Sequence, residues 1–536
     1  MLRTVVLLMV MAVGVQAQQS QLGRVDFPTS GSPAAQTHFL RGLAALHSFF
    51  YEEALDAFRE STKVDPDFMM GYWGEAMTYN HPLWSEQDLT AARATIARIK
   101  DTPKLTARER AYLNAVKLLY GDGDKRARDL AYSAAMEKIY RAYPEDLDAA
   151  AFYSLSLLGL INREDKSYRL QAQAGAIALE VYEKNPNHPG AAHYIIHAFD
   201  DPDHAILALP AARRYAGIAP EAHHARHMPS HIFLQLGMWP ETVASNESAW
   251  ESSDNWMKQK NLPASVRDYH SLHWLLYAYL QQGRYNKAEQ LLQLMKKVMS
   301  ESSYDNKLRP DYYENNYANM AAAFVVETER WDLANQLFPA TATPAPPTSA
   351  DAPSGAHSAH GSSQMPNTMR YSSASKILPP FIRALSAAIR GANNVETLEG
   401  IRGLEVSAVS AATKNDFPNA IELMKKATAM EEETGPPSGP PALIKPTHEL
   451  FGEILLKAGK PAEAAVQFHT ALLRQPNRAR SLLGAARAAV QSGDLTTAAT
   501  TYAKFLDQWK QADEGLRELD EARGFLKSHP QLSLMN

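Results

Sequence analysis

The chain has 536 residues, too many for one compact core, which leaves either several domains or an elongated array. Lys and Arg total 54 against 59 Asp and Glu, a net charge of −5 with no long basic run, so nucleic acid and anionic membrane surfaces are poor candidates for partners. The absence of cysteine excludes disulfides, thiolate metal sites, a lipoprotein anchor and c-type haem attachment.

The first residues read MLRTVVLLMVMAVGVQAQ. Arg3 supplies a positive charge, Val5 to Val15 an apolar stretch and Val15-Gln16-Ala17 a small-residue cleavage site, which predicts a secretory leader over 1–17. The apolar run falls well short of the roughly 20 residues that a membrane helix needs, and no later segment is apolar enough to span. The expected location is periplasmic or secreted, with no membrane span after cleavage.

Helix-pair repeats with the tetratricopeptide period, about 34 residues, follow. Residues 35–68 carry Gly42, Tyr51, Ala54, Phe58 and Pro66 at the places where the tetratricopeptide unit has small, aromatic, Ala, aromatic and Pro residues. The small residues let two helices approach closely, and the proline ends the second helix. A looser unit ends near Pro144. Pro186 and Pro220 close consecutive units, the next ones starting at 189 and 223, and Gly237 and Trp239 fall in frame. Gly283, Tyr285 and Ala288 frame a unit starting at 269 after an insertion, and looser units contain Trp331 and Phe417 with Ala420. Residues 445–478, with Gly452, Gly459, Ala464, Phe468, Ala471 and Pro476, match well and run in frame into 479–512. The predicted fold is all-α, a tetratricopeptide-repeat-like α-solenoid of antiparallel helix pairs stacked into a superhelix. A Pro-, Ala- and Ser-rich stretch over 339–372 cannot bury enough apolar surface to order itself, and is read as a disordered linker between an 18–338 array and a 373–536 array.

Ten of the 18 histidines lie between His188 and His273. His193/His197 and His227/His231 are i, i+4 pairs, each on one helix face, and lie one repeat period apart at equivalent points of two repeats. Counted from unit starts 189, 223 and 269, position 5 is His193, His227 and His273; position 9 is His197, His231 and Tyr277; position 2 is Gly190, His224 and His270. Corresponding helices of a solenoid line one concave surface, so this row faces one groove. His193, His197, His227, His231 and His273 are the preferred metal ligands, supported by Asp200, His224, Asp254 and His270. Imidazole donors suit Zn, Cu, Fe or Ni rather than Mg or Ca. Two pairs close a tetrahedral site; a ring pointing elsewhere leaves a position open for catalysis. Neither HYIIH nor HMPSH has Glu after its first His, so the zinc-protease motif is absent. Pro229, between His227 and His231, is read as a kink, with a helix start at Met228-Pro229 as the alternative.

The motifs His188-Pro189-Gly190, HYIIH and His227-Met228-Pro229-Ser230-His231-Ile232, with Gly237, Asn246-Glu247, Asp254, His270 and His273, resemble an exported bacterial tetratricopeptide-repeat family. Gly435-Pro436-Pro437, Pro446 and Gly452 look like its C-terminal Glu-Pro-Pro segment without the aromatics that follow it. The resemblance implies the fold and the site and supplies no reaction. The expected function is a metal-binding groove for a protein or peptide partner. The alternatives are a metal-free interaction scaffold and a metal-dependent enzyme, oxidase-type or hydrolytic.

Overall fold

The computed structural model describes residues 21–162, 166–301, 311–339 and 374–533, so the predicted leader and nearly all of the linker lie outside the described residues. Helices joined by tight turns pack as neighbours, Pro33–His47 against Tyr51–Val64 and Thr447–Lys457 against Pro461–Arg474, and each pair stacks on the next. Among the described residues the strands are one two-residue pair, Asn80–His81 with Glu86–Gln87. The fold is all-α, a tetratricopeptide-repeat-like solenoid. No helix among the described residues is long and apolar enough to cross a membrane.

The small residues of the repeat act where helices cross. A Cβ on Gly42 would lie 2.9 Å from the Phe58 ring, and one on Gly74, in the following helix, 2.3 Å from it. The C-terminal array repeats the arrangement, with Gly452 at 2.7 Å and Gly484 at 2.2 Å from Phe468. Both phenylalanines are fully buried, each wedged between the glycines of two consecutive units. Gly484→Val forces a branched side chain into that wedge and is expected to cost about 1–3 kcal/mol, read as a lower urea midpoint at unchanged slope.

The superhelix closes on its own middle from both ends. At the N-terminal end Arg24 N donates to Asn187 O at 2.9 Å, Glu221 N to Gln21 O at 3.1 Å, and Arg41 pairs with Glu221 at 3.3 Å. At the other end Trp239 Nε1 donates to Asn477 O at 2.9 Å, Asn477 Nδ2 to Gly237 O at 3.1 Å, and Trp509 Nε1 to Gln281 O at 3.0 Å. Gly237 and Gly283 end their helices with φ of +65° and +69°, and a Cβ on either would strike the docked C-terminal repeats, at Asn477 and Trp509. One apolar core runs from Leu234 and Trp239 through Phe381 to Phe468, so it includes residues from both sides of the 339–372 stretch.

Candidate metal centre

Three helical stretches carry the histidine row. His188 caps the first, Pro189–Ala198, its Nδ1 accepting from Ala191 N at 3.1 Å, with Pro189 in the first turn where a missing N–H costs nothing. The second is broken: His223–His227 ends, and Pro229–Gln235 begins one residue later. Pro229 therefore stands at a helix start, the alternative reading, rather than inside a kinked helix. Met228 keeps right-handed helical geometry, so the path continues and His231 stays one turn beyond His227. The third, Tyr269–Gln281, is capped by Asp268, whose carboxylate accepts from Ser271 N at 3.0 Å.

The row resolves into two trios instead of one four-histidine site. His193, His197 and His224 bring one ring nitrogen each to within 4.8 Å of one another, and so do His227, His231 and His270. Each trio takes positions 5 and 9 of one repeat and position 2 of the next, so the second is the first advanced by one unit. The i, i+4 pairs meet through Nε2, at 3.1 Å for His193–His197 and 3.2 Å for His227–His231. Within the trios ring centres stand 4.7–5.1 Å apart for four of the pairs. Imidazoles sharing one ion at about 2.05 Å, with N–metal–N angles near 100°, have ring centres about 5 Å apart. The donor set fits a transition metal.

The outer nitrogens are held by acceptors. His193 Nδ1 donates to His47 O at 2.7 Å, His227 Nδ1 to Asn246 Oδ1 at 2.7 Å and His231 Nδ1 to Asp200 Oδ2 at 2.7 Å. Asn246 is oriented in turn by its own amide, which donates to Thr242 O at 2.8 Å. This network places the protons on Nδ1 and leaves Nε2 of His227 and His231 as two lone pairs facing each other. A proton could serve such a pair; three convergent nitrogens call for a cation. His224 Nε2, buried in the other trio, has no hydrogen-bond partner. Burial pushes His193 and His227 down to about 3, and His197, His224 and His270 well below the ordinary imidazole value. Those five rings are neutral donors at neutral pH.

One aromatic ring touches all three imidazoles of each trio. Phe49 lies 4.3, 5.9 and 5.6 Å from the rings of His193, His197 and His224. Trp274 lies 5.0, 4.2 and 5.7 Å from those of His227, His231 and His270. Phe49 comes from the first repeat and sits at φ +52°, a strained conformation for an aromatic residue, in the turn that ends Pro33–His47.

The remaining predicted residues fall elsewhere. His273 joins neither trio; it is 3% exposed and neither ring nitrogen has a hydrogen-bond partner. Position 9 of its repeat is Tyr277, whose hydroxyl is taken by Arg478 Nη1 at 2.8 Å, so the third copy of the site is incomplete. Asp254 orients no histidine: Arg267, in the insertion, holds it at 3.0 Å and Lys258 at 2.5 Å. Asp200 lies behind His231, accepting from its Nδ1. His224 and His270, read as supporting residues, are members of the trios. Asn246, the His47 carbonyl and Phe49 had no assigned role in the sequence reading, since they come from outside the three helices; Trp274 lies one turn after His270 on the third, where an aromatic residue reads as core. A third group, His47, Asp148 and His188, is partly satisfied from within: Asp148 Oδ1 lies 2.8 Å from His47 Nε2 and 3.3 Å from His188 Nε2, Tyr194 and Ala191 take the other ring nitrogens, and His188 Nε2 and Asp148 Oδ2 make no hydrogen bond.

The buried imidazoles set an acid limit. Unfolded, such rings protonate near 6.5; folded, burial lowers His193 and His227 to about 3 and His47 and His273 to about 4. Between those values the unfolded chain binds more protons, so stability falls as pH drops below 6.5. His223 shifts the other way, its burial outweighed by Asp268, but it is one group against several. The urea midpoint of chelator-treated protein is expected to be lower at pH 5 than at pH 7; an unchanged or higher midpoint would contradict this.

No family model matches the sequence, and no curated protein matches it. Among solved structures, the Cut9–Hcn1 hetero-tetramer of the APC/C is 11% identical over 92% of this chain and 76% of that one, with a TM-score of 0.35. Yeast Tom70 is 10% identical over 92% and 89%, with a TM-score of 0.24, and the P58(IPK) TPR domain 13% identical over 92% and 99%, with a TM-score of 0.20. Likeness at that level carries no argument about function. The fold stands on the helix pairing described above.

Proposed function

We propose that this protein is an exported solenoid that binds two transition-metal ions, one in each histidine trio. The observation that carries the reading is the repeated convergence of three imidazole nitrogens, with acceptors behind His193, His227 and His231. All-imidazole donors favour Zn, Cu or Fe, and three protein ligands per ion leave a position for an external ligand. Export rests on the N-terminal leader pattern. Direct recognition of a peptide by the row is disfavoured, because His193 and His227 are fully buried. A protein partner of the solenoid would use other surfaces.

A ligand that binds only the folded state stabilises it, by about 2.7 kcal/mol at a hundredfold excess over Kd. Adding Zn(II) back to chelator-treated protein is therefore expected to raise Tm. The same addition should leave the Tm of a His193→Ala/His227→Ala variant unmoved. An equal rise in both proteins would overturn the assignment.

A further inference from the structure

The two trios are neighbours, and their arrangement bears on what binds between them. Across the boundary, His197 and His231 have ring centres 5.8 Å apart, and His224 and His227 5.9 Å, against 4.8 and 5.0 Å for the i, i+4 pairs inside the trios. Phe49 covers one trio and Trp274 the other, touching every ring of its own set. Gly439 backs Trp274 from the C-terminal array: a Cβ there would lie 2.5 Å from the indole. His197, His224 and His270 are only partly buried, so the pair of trios is reached from the side on which these rings lie.

Charge points the same way. Six imidazoles carry no negative charge to offset two divalent ions, which bring four positive charges into an aromatic-walled site. Among the described residues, the carboxylates bonded around the row are Asp200, on His231, and Asp268, shared with His223. At most half of the added charge is met by the protein. In a site of low dielectric the remainder calls for a bound anion, and the adjacency of the two trios favours one within reach of both ions.

On the reading that each trio holds one ion, we infer that the divalent pair binds a single small anion, one donor atom or a short linear group, shared between the two sites. Asp200 and Gln235 brace this arrangement from outside: Gln235 Nε2 donates to Asp200 Oδ1 at 3.1 Å and to Pro437 O at 2.8 Å, which ties the paired-proline segment to the trio of His231.

The probe is azide, titrated into the full chain loaded with Cu(II). The ratio of copper to protein and the paramagnetic resonance intensity are measured first, without azide. The expected result is about one azide per two coppers, with charge-transfer absorption growing as the copper resonance intensity falls, because a shared anion couples the two spins. His270→Ala, loaded with one copper, should keep its full intensity at the same azide concentration. Two coppers that take one azide each, or that keep their full intensity, would overturn the shared anion and leave the two-metal reading standing. A chain that takes up no copper overturns both.

Discussion

Replacing His231 with alanine is expected to weaken metal binding in its own trio by more than a hundredfold, while the trio of His193, His197 and His224 keeps its affinity. The substitution removes one of three donors and strips Asp200 of the ring it orients at 2.7 Å. Asp200→Asn leaves all three donors in place and disturbs only the acceptor behind one of them. Changes of that kind typically cost about 10–100-fold in affinity, so its effect should be the milder one. Competition against a chromophoric chelator measures both variants. Equal loss of both ions in His231→Ala would mean that the row forms one site, not two.

The largest expected effect on stability lies away from the histidines, where the C-terminal repeats dock. Arg478 is fully buried, with Glu449 at 2.7 Å, Glu327 at 2.6 Å and the Tyr277 hydroxyl at 2.8 Å. Despite its burial, Glu449 stays well below the usual carboxylate range, because Arg478 and Lys445 face it. Burial raises Glu327. Arg478→Met leaves both carboxylates without their shared cation in a dry interior. Breaking a buried pair in this way costs about 3–5 kcal/mol, whereas replacing the whole set with apolar residues of similar volume is often neutral. Urea unfolding of Arg478→Met should show the full loss, and Arg478→Met/Glu327→Leu/Glu449→Leu should recover part of it, with Lys445 then held by Glu453 alone at 2.6 Å. A single variant as stable as the native chain would contradict the docking role of this cluster.

The repeat period made the helix pairs legible, because Gly42, Phe58, Gly452 and Phe468 are set by contacts within a unit or between adjacent units. The histidine row was legible for the same reason: positions 2, 5 and 9 share one helix face. How the row divides was not. Spacing tells which face a ring occupies, but not how far one helix slides along the next, and that offset is what brings position 2 of each following repeat against positions 5 and 9. Closure of the superhelix left no periodic trace either. Trp239 meets Asn477, and Phe49 meets His193, between repeats that are not neighbours in the chain, and contacts of that range leave no local spacing to read. Asp254 departs from its expected role because Arg267 lies in an insertion outside the repeat frame. His273 is equivalent to His193 and His227 by position, yet the repeat around it lacks the second and third rings.

The number of metal ions per chain tests the central claim most directly. Protein stripped with chelator, reconstituted with Zn(II) and desalted, with no affinity tag present, should contain two zinc ions per chain by elemental analysis. One ion per chain would support a single four-histidine site over the two trios. No retained metal would contradict the account altogether.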